Sequence, residues 1–172
     1  PADPTKTGHT FDDWYSDAAL NNVYTFTTMP ASDIELYAKW TINNYTITFN
    51  SNGGSTVAPI TQPYCTPVYE PTPPTLTGYD FDGWYTDNTT FNDKYTFPGT
   101  MSSHDLTLYA KWNVKTYSVI FYRYSGGDVL STQTIAYGDA AIAPPTPTRD
   151  GYTWNNWNTA FNNITGPLNV YG

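Results

Sequence analysis

The sequence predicts a mostly β fold that is built from three related units in tandem. The first observation is a marker segment, in which a glycine is followed by an aromatic residue three positions later and a tryptophan six positions later. It occurs at residues 8–15, 78–85 and 151–158, so the repeat length is about 72 residues. The second observation is that 14 prolines and 12 glycines are spread along the chain, which disfavours long helices. The third is that several short segments alternate apolar and polar residues, as half-buried strands do.

The composition is typical of small units that build their cores from large side chains. A unit of this size buries a modest fraction of its surface, so its apolar area has to be concentrated in few residues. Aromatic residues make up 17% of the chain, with 16 Tyr and 6 Trp, and these side chains bury the largest area per residue. The single cysteine, Cys65, excludes an internal disulfide framework.

The charge pattern limits the classes of partner. The formal net charge is −8, and only seven residues are basic. Such a chain has no basic surface for nucleic acid or for anionic lipid. It also has no apolar run of about 18 residues that would insert into a membrane, and no signal-peptide pattern. Few lysines and abundant Thr, Asn and Tyr are typical of secreted or cell-surface proteins, so we expect an extracellular location.

The first unit, residues 1–40, carries only the back part of the repeat. After the marker, which we expect to form a turn, the pattern predicts a polar turn at 16–20 and a short strand at 23–26. A closing strand at 34–40 alternates apolar and polar residues and therefore has one apolar face. Compared with the second unit, about 30 opening residues are absent from the first.

The second unit, residues 41–112, is the complete one. Its opening strand alternates cleanly, and a glycine pair then supplies a turn. A run of prolines before the marker predicts an extended connector with little ladder hydrogen bonding. The expected opening strand, turn, second strand, connector, short strand and closing strand lie at residues 45–49, 52–54, 55–64, 67–74, 94–97 and 106–112.

The third unit, residues 113–172, repeats this order with a shortened final loop and without the last two residues of the repeat. Two explanations of the partial first and third units stay open: the chain is a piece of a longer array, or a neighbouring chain supplies the missing strands. The linkers between units are short, which predicts limited freedom between neighbours. The opening, second and closing strands of the third unit are expected at residues 117–121, 134–138 and 168–171.

The motifs of the complete unit are Tyr-x-Ile-x-Phe, Gly-Gly, Gly-Tyr-x-Phe-x-Gly-Trp-Tyr and Leu-Tyr-Ala-Lys-Trp. Their order resembles the Listeria–Bacteroides repeat, the family of the B repeat of internalin-type surface proteins. The resemblance implies compact units of the α+β class, mostly β and similar to the β-grasp fold, strung in tandem on secreted or wall-attached bacterial proteins. It implies spacing and weak adhesion as roles, and not catalysis. The third unit departs from the pattern, with Trp154 for Phe and Asn156 for Gly.

The recurring aromatic residues have two interpretations. They could stack on sugar rings, or they could form the core of each unit. Their fixed positions in the repeat favour the core. The predicted fold anchors are therefore the marker glycines, the marker aromatics and the closing tryptophans: Gly8, Phe11, Trp14, Trp40, Gly78, Phe81, Trp84, Trp112, Gly151, Trp154 and Trp157.

The closing strands also present one tyrosine each on the face opposite their apolar side chains. Tyr37, Tyr109 and Tyr171 are therefore the candidate exposed interaction surface, for contacts between units or with a partner. Cys65 is expected at a turn, either as an inert thiol or as a link between chains. Asn44, Asn88 and Asn163 begin N-glycosylation sequons, which matter only if the host glycosylates exported proteins.

No constellation of residues indicates catalysis, a metal or a cofactor. His9 and His104 do not recur in the repeat, so we interpret them as surface histidines. The carboxylates lie in polar, turn-rich segments, without the apolar pocket that a glycosidase acid requires. Solvated turn acids are the favoured interpretation, and adventitious calcium binding is the alternative. These acids are Asp12, Asp13, Asp17, Asp80, Asp82 and Asp87.

The sequence thus predicts a non-enzymatic extracellular repeat region that acts as a structural spacer, a stalk or a weak adhesin. Its expected partners are neighbouring repeats or like chains, and in addition a surface glycan or host protein. Two alternatives from other classes remain. One is a filament assembled by exchange of edge strands between chains, and the other is a carbohydrate- or receptor-binding module.

Overall fold

A computed structural model describes residues 2–172, and every regular element in them is a β-strand. The described residues contain no helix, so the mostly β class is confirmed, whereas the helix that an α+β unit would carry is not observed. The prolines and glycines that interrupt each connector explain this. The strands are β1 His9–Tyr15, β2 Tyr37–Ile42, β3 Asn44–Asn50, β4 Ile60–Pro63, β5 Pro67–Val68, β6 Tyr79–Tyr85, β7 Gly99–Thr100, β8 Leu106–Val114, β9 Thr116–Tyr122, β10 Val129–Ala136 and β11 Leu168–Tyr171.

The first repeat forms an antiparallel pair, β1 with β2. Phe11 pairs with Trp40 and Trp14 pairs with Ala38, so three steps along β1 match two steps along β2. This β-bulge places the two marker aromatics on the same face, with the ring centroids of Phe11 and Trp14 5.5 Å apart. The turn expected at the marker is confined to its glycine, Gly8 here and Gly78 in the second repeat. The rest of the marker is a strand, β1 in the first repeat and β6 in the second.

The second repeat forms a mixed sheet with the strand order β4-β3-β8-β6. β3 lies between β4, which is antiparallel to it, and β8, which is parallel to it. The alternation predicted for β3 buries Ile47 and Phe49, and β8 buries Leu108 beside them. The pair β5 and β7 is antiparallel and brings Val68 and the neighbouring Met101 into the interior.

The third repeat forms a smaller mixed sheet with the order β10-β9-β11. Again the opening strand is central, antiparallel to β10 and parallel to β11. The core consists of Val119 and Phe121 from β9, Val170 from β11, and Ala141 and Ile164 from the connecting loops. The marker of this repeat is not a strand and contains only an isolated bridge between Arg149 and Tyr152.

Several element boundaries differ from the expected ones. The short strands expected at 23–26 and 94–97 are single bridges, Tyr15 to Val23 and Tyr85 to Lys94. The first closing strand begins at Tyr37, because Ile34 and its neighbours find no pairing partner. In the third repeat, β10 starts five residues before the expected position. Short alternating segments without a neighbouring strand do not hold a ladder on their own.

Contacts within the chain divide it into two compact units. One comprises the residues up to Asn52 together with Thr56–Pro73 and Trp84–Ala110. The other comprises Gly53–Ser55, Pro74–Gly83 and Lys111–Gly172. Each of these units contains residues from two consecutive repeats, so the boundaries of the repeats at 1–40, 41–112 and 113–172 stay a prediction.

Candidate functional site

The carboxylates that follow the first two markers, Asp17 and Asp87, cap loops. In the second repeat, Asp87 Oδ1 accepts hydrogen bonds from the backbone N–H groups of Phe91, Thr90 and Thr89 at 2.9, 2.7 and 3.2 Å. These bonds hold the pKa of Asp87 well below its usual range, since they favour the ionised form. In the first repeat, Asp17 accepts from the N–H groups of Asn21 and Asn22 in the same way, and its pKa is also lowered.

The other marker acids form exposed ion pairs or local hydrogen bonds. Lys39 lies 3.7 Å from Asp12, and Lys111 lies 3.6 Å from Asp82. The same ion pair therefore occurs in both repeats, at equivalent positions. Exposed pairs of this kind contribute little stability. Asp13 accepts a hydrogen bond from the backbone N–H of Trp14. Within residues 2–172, no group of three His, Cys, Asp or Glu side chains is arranged to hold a metal ion.

The most specific arrangement lies where one repeat meets the next, and we call it the joint. In the first joint, Gly8 is buried with a φ of 70°. A β-carbon at this position would overlap the aromatic ring of Tyr64, which belongs to the second repeat. The backbone is connected as well: the N–H of Asn43 donates to the carbonyl of Gly8 at 2.9 Å, and the N–H of Tyr64 donates to the carbonyl of Asn43 at 2.8 Å.

The second joint repeats this arrangement between the second and third repeats. Gly78 is buried with a φ of 82°, and a β-carbon there would overlap the ring of Tyr137. The N–H of Lys115 donates to the carbonyl of Gly78 at 2.9 Å, and the N–H of Tyr137 donates to the carbonyl of Lys115 at 2.8 Å. Glycine is required at both positions because of the positive φ and because of the close approach of the ring.

Side chains reinforce both joints. The hydroxyl of Thr10, two residues after the marker glycine, donates to Asn43 Oδ1 at 2.7 Å. At the matching positions of the second joint, Lys115 Nζ lies 3.5 Å from Asp80 Oδ1. The side-chain chemistry differs while the backbone connection is the same, so the joint is defined by glycine, tyrosine and the linker backbone.

The third marker glycine has the same conformation without the same cover. Gly151 has a φ of 76°, but it is exposed, and a β-carbon there would meet no atom within 4 Å. The neighbouring marker side chains are also exposed, Tyr152 at 66% and Trp154 at 38%.

The predicted tryptophan anchors have unequal surroundings. Trp84 is 1% exposed, with its ring centroid 4.7 Å from that of Phe49. Trp157 packs on Phe121 at 5.2 Å, while the closing tryptophans pack on the marker phenylalanines at 5.6 Å and 5.5 Å. Trp14, Trp40, Trp112 and Trp157 are half-buried. Trp154, at 38% exposure, is not a core anchor, because no phenylalanine or tryptophan of a closing strand covers it.

The three closing-strand tyrosines are half-buried, so the structure shows no fully exposed row. The hydroxyl of Tyr37 donates to Glu35 at 2.9 Å, and that hydrogen bond raises the pKa of Tyr37. The ring of Tyr171 stacks on Tyr122 at 5.1 Å. Tyr109 pairs with Asn50 across the β3 and β8 ladder.

The remaining candidate residues lie on the surface. Cys65 is an exposed free thiol with a φ of 63°, and its N–H donates to the carbonyl of Met101. The sequon residues Asn44, Asn88 and Asn163 are exposed. His9 Nδ1 is hydrogen-bonded to the backbone carbonyl of Thr7.

Sequence reasoning did not single out the tyrosines of the joints, Tyr64 and Tyr137. Both end the hairpin that follows an opening strand, so they occupy matching places in consecutive repeats. That recurrence was the available signal. The sequence does not show which glycine each tyrosine contacts, since the two residues lie more than 50 positions apart.

Comparison with known proteins identifies relatives of this chain in two bacteria. Two proteins of Evansella cellulosilytica, named as a membrane protein and a Gly-rich membrane protein, are each 37% identical over 158 residues, 91% of this chain. Internalin H of Listeria monocytogenes is 44% identical over 115 residues, 65% of this chain. The chain spans 24%, 18% and 20% of the lengths of these three relatives. Within residues 2–172, no segment forms a helix with the length and apolar character needed to cross a membrane.

A family model matches the chain three times, at residues 1–39, 45–111 and 117–166. These segments cover most of the sequence, and each of them carries a marker. The resemblance based on the motifs is therefore confirmed, and the chain belongs to the Listeria–Bacteroides repeat domain family.

Proposed function

We propose that this chain is a non-enzymatic extracellular spacer or stalk, which sets the distance between other parts of a cell-surface or secreted protein. The observation that carries the proposal is the joint, which occurs twice with the same two backbone hydrogen bonds and the same glycine–tyrosine packing. A flexible tether would need no such connection. The membrane and internalin names of the relatives support a surface location.

The architecture of a single repeat fits this role. The order β4-β3-β8-β6, with a parallel central pair, supports a β-grasp-like unit in which an extended proline-rich crossover replaces the helix. We infer that such units, each contacting its neighbours, form an array whose stability is the sum of local and interface contributions. The repeat length of about 72 residues would then be the structural period.

Small-angle X-ray scattering tests the spacer role. We expect the wild-type chain to give one narrow range of dimensions, and Tyr64→Ala/Tyr137→Ala to give a larger radius of gyration with an unchanged β-sheet circular dichroism spectrum. Tyr69→Ala is the control, because Tyr69 is 70% exposed and lies outside both joints. Identical scattering from wild type and the double variant would contradict the proposal. Filaments in electron micrographs of the wild type would favour edge-strand assembly instead.

A second role, weak binding of a glycan or host protein, is favoured by one surface. The guanidinium of Arg149 lies between the rings of Tyr124 and Tyr152, at 4.2 and 4.0 Å from their centroids. Together with the exposed Trp154 they border a cleft of about 170 Å³. Exposed aromatic rings beside a cation suit a sugar ring. A glycan array with wild type and Trp154→Ala tests this role, and binding that the variant keeps would locate the site elsewhere.

A further inference from the structure

We infer that the surface around Gly151 is the open half of a third joint, and that its occupant is the opening segment of another repeat of this family. The inference rests on the geometry of the joint and not on the spacer role, so the two can fail separately.

The first step is that Gly151 has the backbone conformation of the glycines in the two observed joints. Its φ of 76° lies between the values of 70° and 82° at Gly8 and Gly78. This conformation belongs to a turn, in which the N–H of Tyr152 donates to the carbonyl of Arg149 at 3.1 Å. The marker glycines of the other two repeats lie in the same kind of turn, closed by the N–H groups of His9 and Tyr79, while at Gly151 nothing lies within 4 Å of the position of the β-carbon. The backbone of Gly151 therefore has the shape that receives a tyrosine ring in the other two repeats.

The second step is that the surrounding side chains match the other joints. Thr153 stands two residues after the glycine, where Thr10 and Asp80 contact the linker residue of the next repeat. Trp154 occupies the position of Phe81, whose ring packs on the closing Trp112 at 5.5 Å. The exposure of Trp154 and the cleft beside it are thus the space that a closing tryptophan and a linker fill in the second repeat.

The third step identifies the occupant. In both observed joints the cover is a tyrosine that ends the opening hairpin, together with a linker N–H that donates to the glycine carbonyl. A glycan or an unrelated protein does not carry this pair of groups, so the open joint and the glycan-binding role considered above are competing assignments of the same cleft. The tyrosines of this chain, Tyr64 and Tyr137, already cover Gly8 and Gly78. The occupant is therefore a repeat other than the three described here.

An extended chain tests the inference. Because Val170 occupies the place of Leu108, a copy of residues 111–172 joined directly after Gly172 continues the repeat in register. This copy brings its own linker and its own counterpart of Tyr137. We expect Gly151→Ala to lower the midpoint of denaturant unfolding more in the extended chain than in the original, where the substitution meets only backbone strain.

The control is Gly138→Ala, made in the original third repeat of both chains. Gly138 has a φ of 87° and nothing within 4 Å of its β-carbon position. Its substitution should lower the midpoint equally in the original and the extended chain. Equal effects of Gly151→Ala in the two chains would overturn the inference.

Hydrogen exchange gives a second readout that does not depend on a substitution. The amide of the appended counterpart of Lys115 should exchange at least about tenfold more slowly than the same amide when the appended tyrosine is replaced by alanine. Exchange at the same rate in both chains would mean that the amide is not bonded at the joint.

Discussion

Trp84 is the tryptophan that is most completely enclosed, and it gives the clearest prediction for a single residue. Its side chain is 1% exposed and packs edge to face on Phe49. Trp84→Ala should lower the free energy of unfolding by about 3–5 kcal/mol, because it removes a large apolar contact and leaves a cavity. Denaturant unfolding followed by circular dichroism measures this loss.

The matched control is Trp154→Ala, in the same kind of motif but at 38% exposure. It should cost about 1 kcal/mol or less, as do most substitutions away from a packed core. Similar losses for the two variants would contradict the assignment of Trp84 to the core and of Trp154 to the surface.

The first two marker glycines, Gly8 and Gly78, differ from other glycines of positive φ because an aromatic ring lies directly beside them. Gly78→Ala introduces backbone strain of about 1–2 kcal/mol and in addition drives a methyl group into the Tyr137 ring, at an overpacking cost of about 1–3 kcal/mol. Gly138→Ala should show the strain alone, because its surroundings are open. In the background of Tyr137→Ala, the additional cost at Gly78 should disappear. A double-mutant cycle measures that coupling, and a coupling near zero would mean that ring and glycine do not contact.

At the scale of the elements, the loops that follow the first and second markers are each capped by one ionised carboxylate, Asp17 and Asp87. The pKa of Asp87 is lowered below its ordinary value of 3.8, so the ionised form stabilises the fold above that pH. This contribution is lost as the pH falls below about 4 and the carboxylate takes up its proton. We expect the stability of the wild type to decrease in this range, and Asp87→Asn to show a shallower decrease because it carries no charge to lose.

Thermal unfolding between pH 2 and pH 6 measures this dependence. Asp93→Asn is the control, since Asp93 lies in the same loop but caps no N–H group through its side chain in the described hydrogen bonds. The control should follow the wild-type curve. If the slope of Asp87→Asn were unchanged from wild type, the loop cap would not be the source of the acid sensitivity.

The strands show which parts of the fold could be predicted from sequence patterns. Alternation predicted β3, β8, β9 and β11, because a strand buried on one face has to alternate and the buried residues are large. The same rule failed for the markers, since Phe11 and Trp14 are three residues apart and share a face only through the β-bulge. An odd spacing of aromatic residues was the signal for the bulge.

At the scale of the whole molecule, the family and the repeated units could be predicted from the sequence, and the joints could not. The marker glycines were identified as anchors of their own repeats, but Gly8 and Gly78 are buried by tyrosines of the next repeat. A contact between residues more than 50 positions apart produces no hydrophobic periodicity that could be recognised in the sequence. Local composition predicted turn acids, which is correct for Asp17 and Asp87, since both cap loops. It is wrong for the acids that lie in strands β1 and β6, which are Asp12, Asp13, Asp80 and Asp82.

The joints also determine how the repeats should unfold. In a linear array, stability is divided between each unit and its interfaces with its neighbours, so interfaces make neighbouring units unfold together. Removing the two rings in Tyr64→Ala/Tyr137→Ala should weaken this coupling while leaving two separate hydrophobic cores in place, one with Ile47 and Leu108 and the other with Val119. We expect the wild type to unfold in a sharper transition than the double variant. Tryptophan fluorescence and circular dichroism should give coincident curves for the wild type and separate curves for the variant, whereas Tyr69→Ala should behave like the wild type. Coincident and equally sharp curves for the double variant would show that the repeats are coupled through the continuous backbone alone.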